Sequence, residues 1–440
     1  MNRTLRIAMF VGSFPVVSET FIVRQIAGLL DLDHEVDIYA DCRGASSPVQ
    51  PEAVKHRLLE RTKFMDMPSE TAPWEMPVWP VTGRTWPPGS PTSVNNAVRI
   101  ARAVPEFFRC LARSPRLTFH ALNRADYRYQ AASLSALYRL AAMCRVSKKY
   151  DVLHAHFGPV GNSFRFARDL FGAPLVVSFH GYDFSTVPRK EGSDVYRKLF
   201  ASIDAATANS DYTRGVVESL GCPAGKLHVL PVGLDPNEFD FRERSRESGK
   251  PVRILTVGRL VEIKGLEYVI RAVARLRERH PDIRCDIAGD GPLKKDLEGL
   301  VAQLGIQKAV TFHGALDSPA VRRLMNEADL FVLASASVEG DQEGQGLVLQ
   351  EAQASGLPVV ATQHGALPEG MLPGASGFLV PERDVEALAE RLSFLIEHPG
   401  LWPEFGRKGR KFVEARYDIR DLTRRLVGIY EQTIRSFRSD

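Results

Sequence analysis

The 440-residue chain is long enough for two domains, and with 44% hydrophobic and 25% charged residues it has the composition of a globular protein. Its net charge of +4 is too small to indicate a nucleic-acid partner, and its five dispersed cysteines argue against a disulfide framework or a zinc site. No apolar run reaches the roughly 18 residues of a membrane-spanning helix, so we expect a cytoplasmic protein, peripheral at most on the inner face of the cytoplasmic membrane.

The first half of the chain alternates apolar runs with amphipathic segments. The run ending at Gly12 predicts a strand, a helical pattern carrying Ile22 and Ile26 on one face follows, and "HEVDIYA" predicts a second strand. Residues of about 41–150 interrupt this order, first as an irregular stretch and then, over 97–149, as a basic helical segment. Strands then resume at "DVLHAHF", "APLVVSFHGYD", "DAATANS" and "LHVLPVG". Strands separated by helices predict a parallel sheet.

The second half repeats this pattern after a polar, proline-containing linker. Strands are predicted at "RILTVG", "IRCDIAG", "AVTFHG", "DLFVLAS" and "LPVVAT", and the last segment, Ile419 to Phe437, predicts a helix with no strand after it. We therefore predict an α/β fold of two doubly wound parallel-sheet domains, 1–236 and 237–418, that face a central cleft. A C-terminal helix at 419–440 is predicted to pack back on the first domain.

The chemically unusual residues follow predicted strands, where ligands bind in open parallel sheets. Arg259 and Lys264 come after "RILTVG" and form a suitable pair for a diphosphate, although solvated loop cations are the alternative. His180 ends an apolar strand, where a structural histidine is the alternative to a catalytic one. "GDGPLKKD" lacks the third glycine of a dinucleotide fingerprint because Lys294 stands there, which disfavours a nicotinamide oxidoreductase.

The stretch "EGQGLVLQE", which starts at Glu343, places two carboxylates around two glycines at the predicted start of a helix. Gly344 and Gly346 let the backbone approach a ligand, and the helix from Leu347 directs free N–H groups outward, which favours an anion. Glu343 and Glu351 suit hydroxyl groups better than phosphate. A nucleotide sugar meets both conditions, with its hexose and ribose on the carboxylates; an ordinary acidic helix start is the alternative.

Several longer motifs carry a family resemblance. They are "EGQGLVLQE", "TVGRLVEIKGLEYVIRAVARL", "IAGDGPLKKDLE" and "VLPVGLDPNEF", which lie within residues 227–400. In combination they resemble the retaining glycosyltransferases of family 4, which have the two-domain GT-B fold. "GSFPVVSETFIVRQIAGLLDLDHEVDIYA" and "VVSFHGYDFS" are similar to the exopolysaccharide branch, of the colanic acid and amylovoran type.

The resemblance implies transfer of a hexose from a nucleoside diphosphate sugar to a carbohydrate acceptor, lipid-linked, with retained anomeric configuration. It implies that Arg259 and Lys264 hold the diphosphate, that Glu343 contacts the donor sugar and Glu351 the ribose, and that His180 lies beside the reacting sugar. The same-face attack that we adopt is assisted by the leaving phosphate.

The remaining implied site residues lie on both domains. The first domain binds the acceptor and the second the nucleotide sugar. The donor side also includes Gly12, Gly258, Gly291, Gly344, Gly346 and Leu347, and the acceptor side includes Glu19, His156 and Asp183.

No metal and no cofactor beyond the nucleotide sugar are expected. "DLD", Asp31 to Asp33, formally matches the D-x-D motif of metal-dependent transferases, but it lies at a helix end before a strand. Another GT-B enzyme, either a sugar phosphorylase or a nucleotide-sugar epimerase, and a non-catalytic nucleotide-sugar-binding protein are the alternatives. Gln345, Gln350 and Gln353 replace residues that are commonly apolar in the family, so the bound sugar stays unassigned.

The segment 97–149 is strongly basic. It carries nine Arg and two Lys against one Glu and one Asp, interleaved with aromatic and aliphatic residues. Such a segment suits an anionic membrane surface, where each cation contributes roughly 1 kcal/mol. A solvated helical face with arginine stems over a core is the alternative.

Overall fold

The computed structural model describes residues 3–16, 19–44, 50–65 and 96–439. The strands of the first half are β1 (Arg6–Phe14), β2 (Glu35–Arg43), β3 (Thr62–Phe64), β4 (Val152–His156), β5 (Leu175–Phe179), β6 (Ala205–Ala208) and β7 (Leu227–Val229). They form one parallel sheet in the order β3-β2-β1-β4-β5-β6-β7. Every residue of β4 and β5 is buried, because helices cover both faces of the sheet.

The helices of this half connect the strands and build the basic segment. They are α1 (Thr20–Asp31), α2 (Pro51–Lys55), α3 (Asn96–Arg113), α4 (Pro115–Ala121), α5 (Arg124–Ala132), α6 (Ser135–Cys144), α7 (Gly158–Phe164), α8 (Phe166–Phe171), α9 (Thr186–Glu191), α10 (Arg197–Ser202) and α11 (Asp211–Ser219). Helices α3 to α6 lie between β3 and β4 in the chain and pack on one another.

The second half forms a six-stranded parallel sheet. Its strands are β8 (Arg253–Val257), β9 (Arg284–Ala288), β10 (Val310–Gly314), β11 (Leu330–Leu333), β12 (Val359–Thr362) and β13 (Gly377–Val380). Their order is β10-β9-β8-β11-β12-β13. The helices are α12 (Leu266–Arg279), α13 (Lys294–Gln303), α14 (Ser318–Glu327), α15 (Leu347–Ala354), α16 (Val385–Glu397), α17 (Trp402–Tyr417) and α18 (Ile419–Ser439). The predicted α/β fold of two parallel-sheet domains is confirmed.

The last helix, α18, joins the core of the first half. Leu422, Leu426 and Tyr430 are buried among the side chains of the first sheet. The Tyr430 hydroxyl is also hydrogen-bonded to Nδ1 of His154 on β4, at 2.5 Å. The chain therefore returns to the first domain after completing the second.

Three details differ from the sequence-based expectation. Part of the segment predicted to be irregular is regular, because Thr62–Phe64 pairs with β2 as the edge strand β3; residues 66–95 of it lie outside the described residues. Strand β13 was not predicted, since its short run is half exposed. The dispersed cysteines include one close pair, in which a hydrogen bond from Cys144 and then burial raise the pKa of the Cys110 thiol.

Candidate active site in the cleft

The stretch from Glu343 to Leu347 joins the two domains at the start of α15. Gly346 has a φ of 71°, a left-handed conformation that glycine adopts without strain. Gly344 leaves no room for a β-carbon beside the carbonyl of His180 in the first domain. The two glycines are thus required by the turn and by the close approach of the domains, and Leu347 is the first residue of the helix.

Glu343 lies at the centre of this region. Its carboxylate pairs with the Lys264 ammonium, and both side chains are largely buried, at 13% and 16% exposure. Ser335 donates a further hydrogen bond to Glu343 at 3.2 Å. Burial raises the pKa of the Glu343 carboxyl, but Lys264, His364 and Ser335 outweigh it and hold the pKa below its ordinary value. Glu343 is therefore ionised at neutral pH.

The guanidinium of Arg259 is half-buried near the same carboxylate. Burial lowers the pKa of Arg259, and the charges of Glu343 and Asp341 oppose that effect. Gly258 precedes Arg259 at the end of β8, and the Lys264 side chain passes over it, 3.5 Å from where a β-carbon would lie. Gly291 has no room for a β-carbon beside the backbone of Leu260. The predicted cations are therefore brought together, and the glycines let neighbouring loops pack under them.

A histidine that the sequence analysis missed supports the Glu343 loop. His364 is 1% exposed, and its Nε2 accepts a hydrogen bond from the Glu343 backbone N–H at 3.0 Å. Its ring proton is therefore on Nδ1, which donates to Glu382 at 2.8 Å. Glu382 also accepts from the Ser337 backbone N–H at 2.7 Å. Only the turn after β12, "TQHG", signals this residue in the sequence.

The first-domain wall of the cleft is aromatic. The His180 ring lies 4.6 Å from Phe21 of α1 and 4.9 Å from Phe157, measured between ring centroids. His180 Nε2 and His156 Nδ1 are 3.0 Å apart in a hydrogen bond. Burial lowers the pKa of His180 to about 3, so both rings are neutral at pH 7. His180 can donate or accept a hydrogen bond there, but it does not add a positive charge.

Two residues assigned to the acceptor side are enclosed by protein. His156 and Asp183 are both 0% exposed. The Asp183 carboxylate accepts hydrogen bonds from the backbone N–H groups of Gly181, at 2.8 Å, and of Gly158, at 3.2 Å. Neither side chain is open to the cleft, so their predicted place on the acceptor side involves no exposed group of their own. They fix the loop that carries His180.

Glu19 and Gly12 lie where α1 and β1 approach the cleft. Glu19 occupies the N-cap position of α1, and burial raises the pKa of its carboxyl to about 7. Gly12 is inside β1 and not in the loop after it, because β1 stays paired with β2 as far as Phe14. This changes the predicted end of the first strand, and the place of Gly12 on the donor side stays a prediction.

Glu351 lies one helical turn after the start of α15. Burial raises the pKa of Glu351, Arg24 and Arg322 lower it, and Glu238 adds to the rise. Arg24 belongs to α1 and is itself 9% exposed, paired with Glu238 at 2.9 Å. Glu351 thus faces a charged cluster formed by both domains, which the sequence did not indicate because Arg24 is 327 positions away (351 − 24).

Further polar contacts hold the domains together around the site. Glu369 accepts hydrogen bonds from the backbone N–H groups of Asp211 and Tyr212, at 2.8 and 2.7 Å, at the start of α11. Gln345 accepts from the Val232 N–H at 2.7 Å and donates to the Val232 carbonyl at 2.8 Å. The loop that carries Glu343 and Gln345 is therefore held against the segment that connects the domains.

The described residues offer neither a metal site nor a membrane-spanning helix. In the part of the chain that the structure describes, no three His, Cys, Asp or Glu side chains are grouped to hold a metal ion. Asp31 of the "DLD" sequence pairs instead with Lys55 at 3.2 Å. None of the described helices is both long enough and apolar enough to cross a bilayer.

Comparison with known proteins identifies the family. Residues 237–412 match the model of glycosyl transferases group 1, and residues 18–233 match that of the glycosyl transferase 4-like domain. The chain belongs to this glycosyltransferase family. The glycosyltransferase is 30% identical, over 97% of its length and the whole of each relative, to the putative colanic acid biosynthesis glycosyltransferase WcaL of Escherichia coli K12 and to the amylovoran biosynthesis glycosyltransferase AmsK of Erwinia amylovora. The predicted family resemblance is confirmed.

Solved structures support the fold. The glycosyltransferase superposes with a TM-score of 0.68 and 16% identity on Anabaena Alr3699/HepE, solved with UDP and glucose, covering 97% of this chain and 100% of that one. It superposes with a TM-score of 0.67 and 19% identity on the sucrose-phosphate synthase of Thermosynechococcus elongatus, covering 99% and 100%. At these identities the likeness establishes the two-domain GT-B architecture alone.

Proposed function

We propose that this glycosyltransferase moves a hexose from a nucleoside diphosphate sugar to a carbohydrate acceptor, retains the anomeric configuration and needs no metal ion. The observation that carries the proposal is the grouping of Arg259, Lys264 and Glu343 at the N-terminus of α15. Two fixed cations and a helix N-terminus favour a diphosphate. The Anabaena relative in fold was solved with UDP and with UDP-glucose, which supports a donor of this class.

The chemistry follows from where charge develops. As the bond from the anomeric carbon to the phosphate oxygen breaks, negative charge grows on the diphosphate, and Arg259 and Lys264 stabilise it. The acceptor hydroxyl forms the new C–O bond on the same face and passes its proton to the departing phosphate oxygen. Glu343 keeps the Lys264 ammonium in place and offers carboxylate oxygens to sugar hydroxyls.

The test is a transfer assay with a panel of nucleotide sugars and an oligosaccharide acceptor, in the presence and absence of a chelator. We expect nucleoside diphosphate release that depends on the acceptor, survives chelation, and gives a product whose anomeric coupling in the NMR spectrum matches that of the donor. Inversion at the anomeric carbon contradicts the retaining mechanism. Isomerisation of the donor without an acceptor indicates an epimerase, and phosphate-dependent release of a sugar phosphate indicates a phosphorylase. Binding of the donor without turnover indicates a non-catalytic nucleotide-sugar-binding protein.

We further propose that the acceptor is lipid-linked, that the pathway is exopolysaccharide synthesis, as the names of the relatives suggest, and that the enzyme is cytoplasmic and attaches to the inner membrane surface. The supporting feature is α3, which is apolar on two sides. Ala103 and Cys110 are buried against the core, whereas Ile100, Val104 and Phe108, spaced four residues apart, are 56%, 49% and 61% exposed. Spacing of four residues aligns these three side chains in a stripe.

Helix α4 adds Phe119, which is 61% exposed, and four arginines of these two helices are also exposed: Arg102, Arg109, Arg113 and Arg116. Exposed apolar side chains among cations suit an anionic bilayer surface. The apolar side chains enter the boundary of the acyl chains, and the anionic headgroups attract the cations. Co-sedimentation with vesicles of phosphatidylglycerol and phosphatidylcholine tests this attachment. We expect binding at low salt that the double variant Phe108→Ser/Phe119→Ser reduces at least tenfold, whereas Leu372→Ser, an exposed apolar residue of the second domain, leaves it unchanged. Equal binding of all three proteins contradicts the proposal.

A further inference from the structure

A cavity of about 300 Å³ lies in the first domain, outside the cleft. Helices α5, α7, α9 and α10 line it, and its volume is at the lower end of the roughly 300–1,000 Å³ of small-molecule sites. None of the predicted donor or acceptor residues lines it. The cavity is therefore a separate feature that the transfer chemistry leaves unexplained.

Helix α9 separates the cavity from the cleft. Arg189, on one side of α9, contacts the Glu339 carbonyl of the second domain, and Ser185, just before the helix, bonds to Asp341. Thr186 and Lys190 line the cavity on the other side. The two spaces are thus about one helix width apart, roughly 10 Å. An oligosaccharide whose reacting hydroxyl lies in the cleft can place a more remote sugar in the cavity.

The lining is polar and carries an excess of positive charge. Five cationic side chains line the cavity against three carboxylates. Burial raises the pKa of one of these carboxylates, Glu191, and the charge of Arg128 opposes that rise. Gln130 donates to the Ser163 hydroxyl at 3.0 Å, and its carbonyl oxygen is buried without a partner among the described residues. An unpaired buried acceptor is unfavourable until a hydroxyl group reaches it.

Arg128 gives the cavity its most unusual feature. Its φ of 47° and ψ of −123° break α5 at this residue, a conformation that strains any side chain larger than hydrogen. The guanidinium reaches Asp194 at 3.5 Å and the Glu191 carbonyl at 3.4 Å, both at the outer limit of hydrogen bonding. These contacts are too weak to explain the strain, whereas an anion in the cavity is a strong partner for the guanidinium.

We infer that this cavity is a subsite for an anionic sugar unit of the acceptor, bearing a carboxylate or a phosphate group that Arg128 recognises. The inference deepens the proposed function. It rests on that function in assigning the bound sugar unit to the acceptor of the transfer reaction. The side-chain carbonyl oxygen of Gln130 accepts a hydrogen bond from a hydroxyl group of the same unit. Lys190 and Arg197, which form no ion pair within the described residues, add attraction at the rim.

The experiment measures binding of three probes by saturation-transfer difference NMR, with no donor sugar present. The probes are glucuronate, glucose 1-phosphate and glucose. We expect the anions to bind and glucose to bind at least tenfold more weakly, since a charged hydrogen bond is lost. Binding of glucuronate alone identifies a carboxylate, and binding of glucose 1-phosphate alone identifies a phosphate. The inference is overturned if glucose binds as tightly as both anions.

Two substitutions of Arg128 separate recognition from strain. Arg128→Ala and Arg128→Gly both remove the guanidinium, so both should raise the dissociation constant of the anions about tenfold or more. Only glycine relieves the backbone, so Arg128→Gly should unfold at a higher temperature than Arg128→Ala. Arg214→Ala, an exposed arginine on α11, is the matched control and should bind as the unaltered protein does.

Anion binding that is unchanged in both Arg128 variants overturns the inference, because both variants lack the guanidinium. Because the readout needs no transfer, an inactive enzyme still tests the cavity. Conversely, loss of the subsite leaves donor binding at Lys264 intact, so a failure here is distinguishable from a failure of the proposed function.

Discussion

The pairing of Lys264 with Glu343 allows a quantitative test of the site. Both side chains are about 85% buried, and removing one of them leaves the other charge in a poorly solvated place. Lys264→Met removes the ammonium with little change in volume. Glu343→Gln removes the carboxylate charge but keeps a hydrogen-bonding group. The double variant removes both charges at once.

The expected magnitudes follow from the burial. Breaking a buried ion pair costs about 3–5 kcal/mol, so Lys264→Met should lower the free energy of unfolding by that amount at pH 7. The double variant should lie within roughly 1 kcal/mol of the unaltered protein, since no unpaired charge remains. In Lys264→Met the burial that raises the Glu343 pKa is less opposed. That raised folded-state pKa makes the variant more stable as the pH falls, and stability is lost as the pH rises through it.

Urea unfolding at pH 5 and pH 8 measures these energies, and calorimetric titration with UDP measures the functional consequence. UDP affinity should fall in Lys264→Met and in the double variant but be retained in Glu343→Gln, because in the proposed function the ammonium binds a phosphate and the carboxylate does not. Lys408→Met removes an exposed ammonium paired with Glu404 and should change neither quantity. A Lys264→Met protein that unfolds at the same urea concentration as the unaltered enzyme would refute the reasoning.

Three further predictions concern single residues. Arg259→Ala should lower turnover about 10²–10³-fold, and Arg259→Lys should restore only part of it because the planar fork is lost; a steady-state assay that shows full activity in either contradicts the phosphate role. Burial raises the pKa of Glu19 from 4.5 to about 7, so its contribution to stability is complete below 4.5 and lost as the pH rises through 7. Glu19→Gln should therefore raise the melting temperature at pH 8 and not at pH 4. Gln345→Leu leaves both backbone groups of Val232 unpaired and should cost about 1–3 kcal/mol for each, measured by urea unfolding.

The sequence predicts the site best where function depends on short segments. Arg259, Lys264 and Glu343 follow strands that neighbour one another in the second sheet, and the rule that ligands bind at the carboxyl ends of parallel strands brings them together. The turn at Gly346 is likewise local, because its left-handed backbone selects glycine. Short-range rules are sufficient for these residues.

The same rules fail where a residue's place depends on parts of the chain that are distant in the sequence. Asp183 follows a strand and was predicted on the acceptor side, yet its carboxylate is buried and accepts hydrogen bonds from the backbone N–H groups of two loops. Gly12 was placed after a strand that continues through it to Phe14. Arg24 pairs with Glu238, and Glu369 accepts hydrogen bonds at the start of α11, so both have their partners in the other domain. Their sequence neighbours contain no signal for these contacts.

The glutamines that depart from the family pattern have a structural reason. Gln345 bonds to Val232 between the domains, while Gln350 and Gln353 both donate to the Gly370 carbonyl, at 3.3 and 2.8 Å. Gly370 directly follows Glu369, which caps α11 of the first domain. Apolar residues at these positions could not make such bonds, so the polar substitutions fit a helix α15 that is tied to the connecting segment and to the first domain. The candidate site therefore takes its geometry from both halves of the chain, although Arg259, Lys264 and Glu343 all belong to the second.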